Sequence, residues 1–151
     1  MKMMHIIFLF VFLISCNTRE NDNEKQDLNP SGDNASSPVN CYRYATQADT
    51  ITLKVIHVGK SITGTLVYSL KEKDKNMGTI QGAMRDNILV ADYTFMSEGI
   101  QSIRQVAFKL EGTSFSEGYG DSYDENAKRK FKNVDSLTFS SSIKLSEIAC
   151  Q

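Results

Sequence analysis

From residue 50 onward, apolar and polar side chains alternate in short runs separated by Gly, Asn and Asp, the period-two signature of half-buried β-strands. The runs at 50–58, 61–70, 78–85, 88–95, 100–110 and 113–120 carry it. Between them stand Gly59-Lys60, Asp86-Asn87, Glu98-Gly99 and Glu111-Gly112, each short enough for a two-residue hairpin turn. No apolar face of helical spacing persists beyond two turns.

Each turn implies a register, and each register must agree with hydrophobic parity. A turn at Gly59-Lys60 sets His57 opposite Ile62, Val55 opposite Gly64, Leu53 opposite Leu66 and Ile51 opposite Tyr68. A turn at Asp86-Asn87 sets Met84 opposite Leu89, Gly82 opposite Ala91 and Ile80 opposite Tyr93. A turn at Glu111-Gly112 pairs Leu110 with Thr113, Phe108 with Phe115, Val106 with Glu117 and Arg104 with Tyr119. In all of these hairpins mostly apolar residues share one face while Thr, Lys, Gln and Ser share the other, so turn position and parity agree independently.

The charged link KEKDKNM at 71–77 is expected to be a surface loop, with Leu70 near Gly78, Tyr68 near Ile80 and Leu66 near Gly82. Segment 121–133 breaks the alternation and is expected to be a long loop with a helical turn. Runs at 134–140 and 143–148 are expected to be two closing strands around a Ser-rich turn, and 42–46 a short first strand. The expected fold class is all-β: an antiparallel up-and-down meander of about eight strands that closes into a small barrel. Its shape resembles lipocalin and avidin barrels, with an open β-sandwich as the alternative. Inner-face glycines Gly64, Gly78 and Gly82 suit the bending or close approach that a small barrel needs.

The N-terminus has a different pattern. Lys2 precedes an apolar block, Ile6 to Leu13, that is too short to span a bilayer, and Leu13-Ile14-Ser15-Cys16 follows it. This stretch resembles the lipobox of bacterial lipoproteins. The resemblance implies a signal peptide at 1–15, lipidation of Cys16, and a chain anchored by acyl groups to a membrane of the bacterial cell envelope, in the periplasm or at the surface. Residues 16–40 are rich in Asn, Asp, Glu, Ser, Pro and Gly and form the expected disordered tether. The β domain would then occupy 41–151, and the whole resembles small envelope lipoproteins that carry one β domain behind a tether.

Composition narrows the partners. The chain carries 17 Lys and Arg against 18 Asp and Glu, interspersed and without a basic stripe, which argues against nucleic acid. The expected partners are the membrane, through the N-terminal lipid, and a small-molecule ligand or an envelope protein. With Cys16 assigned to lipid, Cys41 and Cys150 bracket the domain and are expected to form a disulfide in an oxidising compartment, free thiols or a metal site being the alternatives. A metal is not favoured, because His57 is the only histidine beyond the signal segment and no cysteine lies near it in sequence.

One inward position stands out. Arg104 shares parity with Ile100, Val106, Phe108 and Leu110, and a buried guanidinium requires partners. Glu117 lies diagonally across the expected hairpin, Tyr119 directly opposite, Tyr93 opposite on the other side, and Tyr68 on the same face. Either these residues form a closed structural network, or Arg104, Glu117, Tyr119, Tyr93 and Tyr68 line a ligand cavity for a carboxylate, sugar or other small polar molecule. If parity fails, Arg104 is simply on the surface. No catalytic set emerges: His57 has no adjacent nucleophile motif, and the acids Asp92, Glu98, Glu117, Asp121, Asp124 and Glu125 show no spacing that selects a reaction. The expected function is noncatalytic binding without a cofactor, the alternative being a carboxylate-dependent hydrolase of envelope material.

Overall fold

Eight strands hydrogen-bond side by side in the order 88–97, 76–85, 61–69, 50–58, 39–45, 138–148, 114–119 and 100–111, and the last pairs with the first to close the ring. The structure, a computed structural model, describes residues 37–151, with the backbone alone at 140 and 141. The expected signal peptide, the expected lipidation site Cys16 and the expected tether up to residue 36 lie outside the described residues. The strands are β1 (Val39–Ala45), β2 (Thr50–Val58), β3 (Ser61–Ser69), β4 (Asn76–Arg85), β5 (Ile88–Ser97), β6 (Ile100–Glu111), β7 (Ser114–Tyr119), β8 (Ser122–Glu125), β9 (Lys128–Phe131) and β10 (Thr138–Ile148). The barrel is antiparallel throughout, and β8 and β9 lie outside the ring.

The expected closed meander is therefore what forms, and the sandwich alternative falls because no sheet edge is left within the ring. Turns at 59–60, 86–87 and 98–99 hold their expected registers, with Leu53 opposite Leu66, Ile80 opposite Tyr93 and Tyr93 opposite Arg104. Backbone at Gly59, Asp86, Glu98 and Gly99 takes positive φ, the geometry whose twist matches antiparallel strands. Leu53, Leu66, Tyr93 and Phe108 are wholly buried, so the apolar parity faces the barrel interior. Gly64 permits the tight coiling of that wall: a Cβ there would stand 1.8 Å from the Lys54 carbonyl oxygen on β2.

Cys41 and Cys150 are joined, with Cα atoms 5.2 Å apart. Cys41 pairs in register with Ile148, so the bridge fastens the first strand of the ring beside the last. It sits at the end of the barrel that carries the 59–60 and 86–87 turns. The opposite end, called the mouth below, carries the links at 46–49, 70–75 and 98–99 and the excursion 120–137.

Several expectations need correction. β1 starts at Val39, and Val39 and Asn40 pair with Ile56 and Val55, so the last residues assigned to the tether belong to the barrel. β4 starts at Asn76, and Leu66 stands opposite Gly78 rather than Gly82. At the β6–β7 hairpin the turn is Gly112-Thr113: Glu111 meets Ser114, Leu110 meets Phe115 and Phe108 meets Glu117. Both slips are by even numbers of residues, so every side chain keeps its face and parity could not detect them. Ile100 shares the parity of Arg104 but lies at the rim, 69% exposed.

The C-terminal third departs furthest. Segment 121–133 holds a β-hairpin, β8–β9, around Asn126-Ala127, both at positive φ. Alanine at such a position gives no turn signal. The hairpin is tied by cross-strand charge pairs, Asp124 with Arg129 and Glu125 with Lys130. Residues 134–136 form a single 3-10 turn, capped by the Asn133 side chain, which accepts from the Asp135 N–H. The two closing strands are one strand, β10, whose pairing to β7 slips between Phe139 and Lys144. The Ser-rich segment is thus a bulge in a continuous strand instead of a turn.

Candidate functional site

The corrected β6–β7 register creates the site. Pairing between these strands runs from Glu111 only as far as Phe108 with Glu117. Nearer the mouth β7 diverges, and β9 takes the edge of β6 instead, in parallel, with Ile103 and Arg104 opposite Lys128 and Arg129. The Phe131 N–H donates to the Gln105 side chain, and Lys128 bonds Asp92, which hold the outer hairpin against the barrel wall. In the split lies a cavity of about 150 Å³ lined by Arg104, Gln105, Glu117, Tyr119 and Phe131 among others.

Arg104 points into the barrel between aromatic rings. Its Cζ lies 5.0 Å from the ring centre of Tyr68 and 5.6 Å from those of Tyr93 and Phe95. Tyr93 and Phe95 stack with centres 4.6 Å apart, so the guanidinium is held over a preformed aromatic wall. Its Nε is buried without an acceptor. Among the described residues no side chain or carbonyl hydrogen-bonds Arg104, and no carboxylate lies within ion-pair distance of it.

Glu117 is the one buried acid among the described residues, 5% exposed. The Tyr68 hydroxyl donates to its Oε1 at 2.6 Å and the Tyr119 hydroxyl to its Oε2 at 2.9 Å. Burial pushes its carboxyl above the usual glutamate range, against the lowering effect of the two phenol donors and the Arg104 charge. Burial likewise raises Tyr93 to about 12, and carries Tyr68 and Tyr119 upward with Glu117's charge adding to the effect.

All the residues singled out from sequence, Arg104, Glu117, Tyr119, Tyr93 and Tyr68, meet in one cluster, but not in the expected arrangement. The direct Arg104 to Glu117 pairing is not made: the Tyr68 ring carries the guanidinium over its face and the carboxylate at its hydroxyl. Tyr119 is not opposite Arg104; it pairs with Thr138 on β10 and reaches back to Glu117.

A second cavity, of about 380 Å³, opens at the mouth and is bounded by Tyr68, Asn76, Arg104, Glu117 and Tyr119, with Lys73 and Asp74 at the rim. Its size lies in the range of small-molecule sites. Sequence reasoning missed Asn76, whose side-chain oxygen is buried without a donor. Continuing the alternation back from Gly78 would have placed it inward, but the charged run KEKDKNM concealed the start of β4. Phe95, the third ring against Arg104, lay at the end of an expected strand and shares the parity of Tyr93.

No protein-family model matches the chain, no curated protein is significantly similar to it, and no solved structure matches it significantly. The geometry of the site therefore carries the functional reading by itself.

Proposed function

We propose that this protein is a noncatalytic lipoprotein of the bacterial cell envelope, anchored through Cys16, whose barrel mouth binds a small polar or amphipathic molecule bearing an anionic group. The observation that carries this reading is Arg104: a guanidinium held over three aromatic rings, facing cavities, with no acceptor among the described residues. A structural arginine inside a barrel is ordinarily satisfied by carboxylate or carbonyl oxygens, because its donors are costly to bury unpaired. Here the donors are kept for a guest, and the closed eight-stranded barrel offers a cavity at its mouth for it.

The hydrolase alternative has less support. Asp92, Asp121, Asp124 and Glu125 each face a lysine or arginine on the surface, and both oxygens of Glu117 accept from tyrosines. The test is native mass spectrometry of the folded, disulfide-bonded domain after exposure to envelope extract. The expected result is a retained small molecule on the wild type and none on Arg104→Met. Time-dependent product formation, or retention unchanged by Arg104→Met, would overturn the reading.

A further inference from the structure

The mouth cavity presents two opposite charges that the protein itself does not join. Among the described residues Arg104 has no acceptor, and Glu117 is held by two phenol donors but by no cation within ion-pair distance. Tyr68 touches both, carrying the guanidinium on its ring face and the carboxylate at its hydroxyl. A third group, the Asn76 Oδ1, is a buried acceptor without a donor on the wall of the same cavity. Even the rim repeats the balance, with Lys73 beside Asp74.

A simple anion would satisfy Arg104 and leave Glu117 and Asn76 facing it with lone pairs, a like-charge and acceptor-to-acceptor mismatch. A simple cation would meet the converse fault at Arg104. From this complementarity we infer that the ligand is a small zwitterion, an amino acid or short peptide, whose carboxylate is taken by Arg104 and whose ammonium is taken by Glu117 and Asn76. The inference rests on the binding function proposed above and narrows it to one ligand class. It makes the aromatic wall the neutral spacer between the two ends of the guest, and it leaves a net-neutral site around a net-neutral ligand, which limits the desolvation that either partner suffers unpaired.

The experiment is a set of amide-resonance titrations of the folded domain with zwitterions of growing charge separation (alanine, β-alanine, γ-aminobutyrate, glycylglycine) and with single-charge controls (propionate, butyrate, propylamine, butylamine). At least one zwitterion is expected to bind about tenfold or more tighter than either control, with shifts centred on Tyr68, Asn76, Arg104 and Glu117. Glu117→Gln should abolish that preference while leaving the response to carboxylates, and Arg104→Met should remove both. A carboxylate that binds as tightly as every zwitterion would overturn the inference and leave the binding function standing. Absence of binding by all the compounds would also overturn it, and the extract experiment then decides the broader reading separately.

Discussion

The Tyr68 hydroxyl donates to the Glu117 Oε1 at 2.6 Å, across 49 positions of sequence and the full width of the barrel interior. Removing that donor by Tyr68→Phe leaves a buried carboxylate with the Tyr119 bond alone. A loss of about 1–3 kcal/mol in unfolding free energy at neutral pH is expected, measured by urea denaturation, with the Glu117 carboxyl moving further upward in an NMR titration. Unchanged stability together with an unchanged titration would show that the bond does not form in solution.

Glu117 also sets a pH dependence. Its carboxyl is raised in the folded state, so the native protein holds that proton more tightly than the unfolded chain. The associated stability is complete below the ordinary value of 4.5 and is lost as pH rises from there through the raised folded value. Urea midpoints of wild type and Glu117→Gln should therefore diverge with increasing pH over that window, the wild type losing ground, and run parallel above it. Parallel curves throughout would contradict the assignment.

Arg104→Met should fold, because an unbranched apolar side chain of similar length can occupy the space among Tyr68, Tyr93 and Phe95. Its thermal midpoint is expected to equal or exceed that of the wild type, since exchanging a half-buried charge, whose Nε is buried without an acceptor, for an apolar group removes a desolvation penalty. A fall of more than about 3 kcal/mol, the size seen when a buried pair is broken, would instead make Arg104 structural.

The Cys41–Cys150 bridge closes nearly the whole domain into one loop, with 109 residues of sequence separation. Reduction, or the double variant Cys41→Ser with Cys150→Ser, should cost about 2–5 kcal/mol. Equilibrium unfolding with and without reductant measures it, and superimposable curves would refute the role.

Gly64→Ala and Gly112→Ala separate two uses of glycine. At Gly64 an added Cβ meets the Lys54 carbonyl oxygen at 1.8 Å, so the barrel wall must open, and a loss of about 1–3 kcal/mol or more is expected. At Gly112 the added atom meets nothing within 4 Å, and the loss should be only the 1–2 kcal/mol or so of left-handed strain at φ +64°. Equal losses at the two positions would argue against the close strand approach at Gly64.

Much of the barrel was legible in the chain, because a half-buried strand must alternate and a two-residue turn must contain residues that tolerate positive φ. Those local requirements determined the strands from β2 to β6 and their inward residues, Arg104, Tyr93 and Tyr68 among them, while the disulfide at the ends followed from the two cysteines left once Cys16 was assigned to lipid. Local patterns were silent where displacement preserves parity, and so the slips at Gly78 and at Phe108 with Glu117 escaped them. They were silent again where ion pairs substitute for apolar contacts, as in the β8–β9 hairpin. Only the tertiary structure decided that β7 parts from β6 to let β9 in, and that Tyr68 meets Arg104 with its ring and Glu117 with its hydroxyl. Those outcomes depend on contacts between residues far apart in sequence, set by how the whole ring closes, and no short window of the chain contains both partners.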